Sequence, residues 1–185
     1  MTVESPTVDT NADGTTPANP AYWIIVGSPG NFQRTADLGF TVQGMKSRHR
    51  KKAERMAPGD KLVWYVTGLK AFAGAATITS PYFESHERIW TSGDANKADE
   101  DYPFRVEISP DIVLPDGAFL PAEGIARQMA YVAKWPAANW TLAFQGNVHT
   151  IGEDDYRLIR EALEAHSRAG AGAATADTRA GVIGL

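Results

Sequence analysis

The chain has 185 residues, of which 43% are hydrophobic and 22% are charged, and its formal net charge is −4. This composition is typical of a soluble globular protein, and the length suits one domain with terminal tails. Cysteine is absent, which excludes disulfides, thiolate nucleophiles and cysteine-ligated zinc or iron–sulfur sites. No apolar run reaches the roughly 20 residues that span a bilayer, and the start lacks a signal-peptide pattern, so we expect a cytoplasmic protein without membrane contact.

Both ends of the chain are poor in residues that could be buried. Residues 1–19 are rich in Thr, Asp, Asn, Ala and Pro, and residues 167–185 are rich in Gly and Ala. Such segments bury too little apolar surface to offset the entropy lost on ordering, so we expect two disordered tails. The folded unit is then expected at residues 20–166.

The first elements follow from local patterns. The apolar run AYWIIVGS predicts a buried strand. Asn31 is expected to cap a helix that runs to Leu38 and ends at Gly39, and GFTVQG predicts a short extended segment. Residues 46–57 contain good helix formers and predict a second helix, which carries many positive charges.

Strands are the main elements expected next. KLVWYVTG and AFAGAATITS predict two strands joined by a tight turn, with Trp64 and Tyr65 on opposite faces. In FRVEISP the alternation directs Phe104 inward and Arg105 outward. Short strands with helices inserted between them indicate a small α+β barrel. Two further helices are expected, at residues 121–131 and 153–166.

The segment at residues 45–61 has the strongest charge asymmetry of the chain. It contains seven Lys or Arg against two carboxylates, a local charge of +5, whereas the rest of the chain carries −9. A basic helix on an acidic body is the pattern expected for contact with a phosphate backbone. The alternatives are that these charges pair with the acidic body or keep a helix face solvated. The residues expected to contact phosphates are Lys46, Arg48, His49, Arg50, Lys51 and Lys52.

Trp90 stands out among the aromatic residues. It lies in the polar stretch SHERIWTSGD and belongs to no periodic apolar pattern. A tryptophan in such a loop is either a lid over the core or a platform on which a flat ligand stacks. Most other aromatic side chains are expected in the core, since they supply much of the burial energy of a small domain.

Catalytic motifs are weak in this sequence. His49, His86, His149 and His166 are scattered without the spacing of a metal site. Ser28 lies in GSPG, which differs from the nucleophile elbow of hydrolases. We therefore expect no catalytic residue, no metal and no cofactor.

The succession of motifs resembles the EVE domain, and more narrowly the UPF0310 group of bacterial and archaeal proteins. The resemblance is carried by YWI in the first strand, the basic segment followed by PGDKLV, the strand YPFRVEI and the late FQG. It implies a PUA-like fold, a bent, mostly antiparallel β-barrel with flanking helices that is shared with YTH and ASCH domains. It also implies a non-catalytic reader of modified bases in DNA or RNA, which holds one flipped or single-stranded base in an aromatic pocket.

The resemblance further implies a set of pocket residues. By position these are Trp90 as the stacking residue, with Gln43, Asn31, Ser28, Tyr65, Phe144, Gln145 and Gly146 around it. Many relatives have a tryptophan where this chain has Gln43, so either hydrogen bonds replace one wall of the pocket or the ligand differs. The structural alternatives are that Ser28 and Asn31 close a turn and cap a helix, that Tyr65 is a core residue, and that Gln43 bonds the backbone near a strand end.

Two other functions stay open on the sequence. One is a small hydrolase that acts on modified nucleosides or RNA, which requires His49 or His149 beside a carboxylate. The other is a protein-interaction module in a restriction or toxin system, in which the basic helix meets an acidic partner.

Overall fold

The computed structural model describes residues 19–180, with side chains described up to residue 171. The expected N-terminal tail, apart from Asn19, and the last five residues of the expected C-terminal tail lie outside the described residues.

Eight strands between residues 19 and 180 form one curled sheet. They are β1 (Tyr22–Gly27), β2 (Val42–Met45), β3 (Lys61–Val66), β4 (Ala71–Ile78), β5 (Phe83–Glu84), β6 (Phe104–Val113), β7 (Leu120–Pro121) and β8 (Val148–Ile151). Their main order is β2-β6-β4-β3-β1-β8, with β5 paired to β6 and β7 paired to β4. Only β1 and β3 pair in parallel; the other pairs are antiparallel. The expected bent, mostly antiparallel α+β barrel is confirmed in the form of a half-barrel.

Helices flank this sheet on both faces. Within the described part of the chain they are α1 (Pro29–Asp37), α2 (Arg50–Ala53), α3 (Glu123–Ala126) and α4 (Glu153–Ala180). The basic helix expected at residues 46–57 is a 3₁₀ turn, Ser47–His49, followed by the single turn of α2. None of these helices is long and apolar enough to cross a membrane.

The other two helix predictions were wrong in length. The helix expected at residues 121–131 is only the single turn of α3. Conversely, α4 continues past the expected end at residue 166 to Ala180, through sequence expected to be a tail. Alanine is the strongest helix former, and the Ala-rich composition of this stretch favours continuation of a helix that has already started.

The start of α1 also differs from the prediction. Its N-cap is Ser28, whose Oγ accepts a hydrogen bond from the backbone N–H of Asn31 at 3.2 Å, and Pro29 occupies the first helical turn. Asn31 is therefore inside the helix rather than at its cap. The predicted end is correct, because Gly39 follows the last turn with a φ of 66°.

The central strands are buried on both faces. Tyr65 of β3 packs in a core that includes side chains of α4, whereas Trp64 packs in a second core with Trp23 and Phe104. The expectation that Trp64 and Tyr65 face opposite sides is confirmed. A strand covered on both faces carries apolar residues at every position, so its alternation does not indicate which face borders a binding site.

Arg105 was expected to point into solvent, and this was wrong: it is 2% exposed. The segment that follows β5 folds over its side of β6 and supplies oxygen acceptors to the guanidinium. These acceptors are the carbonyls of Tyr102, Asp101 and Glu87 and the hydroxyl of Ser85. Hydrogen bonds with several acceptors are what make a buried arginine tolerable.

Asn147, directly before the edge strand β8, links the ends of β2 and β1. Its Oδ1 accepts from the backbone N–H of Lys46 at 3.0 Å, next to β2, and its Nδ2 donates to the carbonyl of Val26 at 2.9 Å, in β1. The side chain is buried at 3% exposure. The basic segment is thereby held beside the ends of β1 and β8.

Candidate functional site

A small cavity opens where the parallel strands β1 and β3 end, next to α1. Its volume is about 20 Å³, which holds roughly one water molecule. The concave space around it, including the open mouth, is about 330 Å³. Five of the residues that line it are aromatic, and its walls include Trp64, Trp90, Tyr102, Asn31, Gln43 and Asn147. Trp90 and Tyr102 belong to the connection between β5 and β6, residues 85–103, which we call the Trp90 segment.

Trp90 is a fixed wall of the cavity and is only 2% exposed. Its Nε1 donates to Oγ1 of Thr35 in α1 at 2.9 Å. The guanidinium carbon of Arg105 lies 5.2 Å from the centroid of the indole, in a cation–π contact. Gly44 and Arg105 are opposite each other on β2 and β6, so they support the indole from the same face of the sheet.

Gly44 is required for the close approach of Trp90 to β2. A Cβ atom at this position would lie 2.4 Å from both Cε3 and Cζ3 of the indole. Such a distance is far inside van der Waals contact, so any side chain at residue 44 displaces Trp90.

Trp64 supplies a second indole to the cavity wall. Its Nε1 donates to Oε1 of Gln43 at 2.8 Å, and Nε2 of Gln43 donates to the carbonyl of Gly44 at 2.8 Å. Since a glutamine amide has two N–H donors and two acceptor positions, Gln43 keeps one of each after these bonds. Gln43 thus lies at the cavity and fixes the orientation of Trp64, a role that the sequence did not indicate.

Asn31 lies at the cavity but is engaged by its neighbours. Its Nδ2 donates to the carbonyl of Thr91 at 2.9 Å and to the Tyr102 hydroxyl at 3.1 Å. Its Oδ1 accepts from the Thr91 backbone N–H at 3.0 Å and from Nη1 of Arg34 at 3.3 Å. These four bonds fill the amide, so Asn31 ties the Trp90 segment to α1 and has no free edge for a ligand.

Of the other residues expected in the pocket, only some line the cavity. Tyr65 lines the cavity while its ring stacks on Phe144, with centroids 4.2 Å apart, and burial raises the pKa of Tyr65 to about 12. Phe144 does not line the cavity; it is a core residue, because the 3₁₀ stretch Ala137–Phe144 packs onto the face of the sheet that α4 covers. Ser28 and Gln145 are exposed outside the cavity.

A cluster of cations and histidines lies beside the cavity, and we call it the basic hollow: Arg48, His49, Lys52, Gly146 and His149. Nε of Arg48 donates to Nε2 of His49 at 3.2 Å, and Nζ of Lys52 donates to the carbonyl of Val148. Among the side chains of residues 19–171, no carboxylate oxygen lies within 4.0 Å of either cation. Gly146, expected in the base pocket, is instead part of this hollow.

The two half-buried histidines of the basic hollow have strongly lowered pKa values. Burial, followed by the charges of Lys52 and Arg48, lowers the pKa of His49 to about 4. Burial and Lys52 lower the pKa of His149 to about 4 as well, against an opposing effect of the Gln145 backbone. Both rings are therefore neutral at pH 7, in an environment that repels protons and attracts anions.

The remaining residues expected to contact phosphates differ in their surroundings. Lys46 places Nζ 5.7 Å from the ring centroid of Tyr102, at the cavity wall. Arg50 forms ion pairs with Glu54 at 2.8 Å and Glu84 at 3.7 Å, so its charge is compensated by the acidic body. Lys51 is exposed.

The arrangement needed for the hydrolase alternative does not occur at these histidines. Within residues 19–171, the one ion pair between a histidine and a carboxylate joins His86 to Asp101 at 2.7 Å, and the His86 side chain is 73% exposed. The same part of the chain contains no group of three or more potential metal ligands. His49 and His149 face cations instead of a carboxylate.

Sequence reasoning missed three parts of this site. Trp64 was expected in the core with most other aromatic residues, and it lies both in a core and at the cavity wall, while Tyr102 was noticed only as the first residue of the motif YPFRVEI. Asn147 follows the late FQG motif, which was the one available signal for it.

Comparisons with known proteins agree with this fold. The family model of the EVE domain matches residues 21–162. A UPF0310 protein of Pyrococcus horikoshii is 28% identical over 152 residues, covering 77% of this chain and 98% of that protein.

Two solved structures with low sequence identity have a similar fold. One is the YTH domain of Zygosaccharomyces rouxii MRB1 in complex with N6-methyladenosine RNA, with a TM-score of 0.54 and 12% identity over 86% of this chain and 90% of that chain. The other is the YTH domain-containing protein mmi1 in complex with RNA, with a TM-score of 0.54 and 12% identity over 82% of this chain and 87% of that chain. Since the family model spans nearly the whole folded unit, the chain belongs to the EVE domain family.

Proposed function

We propose that this protein is a nucleic-acid-binding module that takes one base between Trp64 and Trp90 while the basic hollow holds the strand. One observation carries the proposal: a cavity with aromatic walls lies beside Arg48 and Lys52, which have no carboxylate oxygen within 4.0 Å among residues 19–171. Asn147 joins the two features, since it lines the cavity and accepts from the backbone N–H of Lys46 at 3.0 Å. Aromatic platforms for bases combined with a cationic path for phosphates are the usual means of binding single strands.

Two structural neighbours support the proposal of nucleic-acid binding. The YTH domains of MRB1 and mmi1 were solved with RNA, and the RNA bound to MRB1 contains N6-methyladenosine. A shared fold alone does not transfer a ligand, so the proposal depends on the cavity and the basic hollow of this chain.

Base binding requires the cavity to open. A nucleobase is far larger than the present cavity volume of about 20 Å³. The Trp90 segment contains one short 3₁₀ turn, Ala95–Lys97, and mostly exposed residues, and it is tied to α1 through Asn31 and Arg34. Loops with few buried contacts open at low free-energy cost, so we assign the opening movement to this segment.

The finer part of the proposal is that the base carries a modification. Burying one added methyl group contributes about 0.8 kcal/mol, which is too little for strong selectivity by itself. Discrimination therefore also needs the shape of the cavity and hydrogen bonds to the edge of the base. The spare donor and acceptor of Gln43 are the polar groups available for this purpose.

Fluorescence anisotropy with short single-stranded RNA and DNA oligonucleotides tests this function. The oligonucleotides differ only in one central base, which is either unmodified or methylated. We expect binding, tighter binding of a methylated base, and a loss of roughly 5- to 150-fold in the folded Trp90→Leu variant. Trp135→Leu, which changes a tryptophan outside the cavity, is the matched control.

Two results would count against the proposal. No binding of any oligonucleotide contradicts the nucleic-acid function as a whole. Equal affinities across the panel contradict only the recognition of a modified base, and thermal unfolding of Trp90→Leu separates a lost contact from a lost fold.

A further inference from the structure

We infer that the basic hollow is a binding site for a single phosphate group of the nucleic acid, with His149, Arg48 and Lys52 as its donors. This inference rests on the proposed function and names the part of the ligand that the hollow receives. It adds His149 and Gly146, which lie about a hundred positions further along the chain, to the basic segment that the sequence singled out.

The first argument is an unused ring nitrogen. His149 Nδ1 lies 2.8 Å from the Tyr131 hydroxyl, whereas Nε2 is buried and makes no hydrogen bond within the described part of the chain. Tyr131 is itself held in place, since the carboxylate of Asp155 accepts from the backbone N–H groups of Ala130 and Tyr131, each at 2.8 Å. A buried polar atom without a partner is costly in a folded protein, and a ligand is one reason for its presence.

The second argument is the space around Gly146. This glycine has a φ of 105°, and a Cβ built on it would lie 3.7 Å from both Nη2 of Arg48 and Nε2 of His149. The guanidinium and the imidazole therefore border the same small space, which the glycine leaves open. Phosphate oxygens accept hydrogen bonds from both kinds of donor, and arginine binds them with particular strength.

The third argument is the uncompensated charge. Arg48 and Lys52 lie next to the two histidines and have no carboxylate oxygen within 4.0 Å among the described side chains, while His49 accepts from Arg48 and so orients its guanidinium. The groups that face His149 are Lys52, Arg48, the Tyr131 hydroxyl and the backbone of Gln145. A site of this kind favours an anion over a proton.

Binding should therefore be linked to proton uptake. A bound phosphate places a negative charge next to His149. This charge favours the protonated form of the imidazole. We expect affinity to increase as the pH falls from 7 toward 5, and His149→Phe should flatten this dependence. Phenylalanine retains the ring that packs against Tyr131 and removes both nitrogens.

The test combines nuclear magnetic resonance with binding measurements on the full chain. Titration with inorganic phosphate should shift the ring signals of His49 and His149, while the signals of His86 and His166 serve as internal controls. Lys52→Met and His149→Phe should each weaken oligonucleotide binding by about tenfold. Lys70→Met, in the exposed turn between β3 and β4, is the matched control.

The outcomes separate this inference from the proposed function. Unchanged oligonucleotide affinity in both variants, with unmoved His49 and His149 signals, overturns the phosphate site and leaves the proposed function standing. Shifted histidine signals without any oligonucleotide binding overturn the proposed function and reduce the hollow to a general anion site.

Discussion

At the cavity, the polar side chains form hydrogen bonds mainly with other residues of the cavity wall. Gln43 orients Trp64, Thr35 orients Trp90, and Asn31 uses its whole amide to hold the Trp90 segment. Such mutual support holds the aromatic walls in place in the ligand-free protein, and some of these bonds must break when the Trp90 segment moves to admit a base. It also leaves few free polar groups, so shape and stacking carry most of the recognition.

The variant Gly44→Ala tests whether the close approach of Trp90 to β2 determines where the indole lies. The added methyl would lie 2.4 Å from the indole of Trp90, and we expect a loss of stability of about 1–3 kcal/mol with a changed environment of the indole. Thermal unfolding and near-ultraviolet circular dichroism measure the two effects.

Gly93→Ala is the matched control, because a Cβ at Gly93, in the same Trp90 segment, meets no atom within 4 Å. Equal stability and equal spectra for the two variants would show that Gly44 does not determine where Trp90 lies.

Several residue roles could be predicted from the sequence, and others could not. Trp90 was noticed because it breaks the periodic pattern of its surroundings. Arg105 was misplaced because a strand pattern describes one face at a time and says nothing about a distant segment that covers the polar face. Asn147 was missed because its hydrogen bonds join parts of the chain about a hundred residues apart.

At the scale of elements, the basic hollow arises where the 3₁₀ turn Ser47–His49 and α2 pack beside β8. The helix predicted there was too long, yet its charges are in place because Asn147 and Lys52 bond this segment to the neighbouring strands. Element contacts of this kind bury His49 and His149 in part and place both next to cations.

This packing predicts a pH-dependent stability. Both histidines have a folded-state pKa of about 4 against an ordinary value of 6.5, so the unfolded chain binds more protons between these two pH values. Their contribution is fully present above about pH 6.5 and decreases as the pH falls toward 4. Denaturant unfolding at pH 7, 6 and 5 should show a steady loss of stability.

The double variant His49→Gln with His149→Phe should lose less stability over the same range than the unmodified protein. His166→Gln, which changes a partly exposed histidine of α4 outside the basic hollow, should behave like the unmodified protein. A double variant with the original pH profile would mean that other groups govern the dependence.

At the scale of the whole molecule, the half-barrel places the cavity and the basic hollow next to each other. β1 and β3 end at the cavity, and Asn147 holds the basic segment against those ends. Strands β1, β3, β4 and β6 and the family resemblance could be predicted from local motifs, whereas the order of the strands in the sheet was not predicted. The size of the cavity could not be predicted from the sequence, because it depends on how closely the Trp90 segment packs on α1.

The central claim is that a base enters between Trp64 and Trp90, and the indole N–H signals of the five tryptophans test it most directly. Each signal is recorded by ¹H–¹⁵N nuclear magnetic resonance while a short methylated oligonucleotide is added. We predict large shifts of the Trp64 and Trp90 signals from the ring current of the stacked base, with Trp23, Trp135 and Trp140 nearly unchanged. Saturable binding that leaves the Trp64 and Trp90 signals in place would contradict the account.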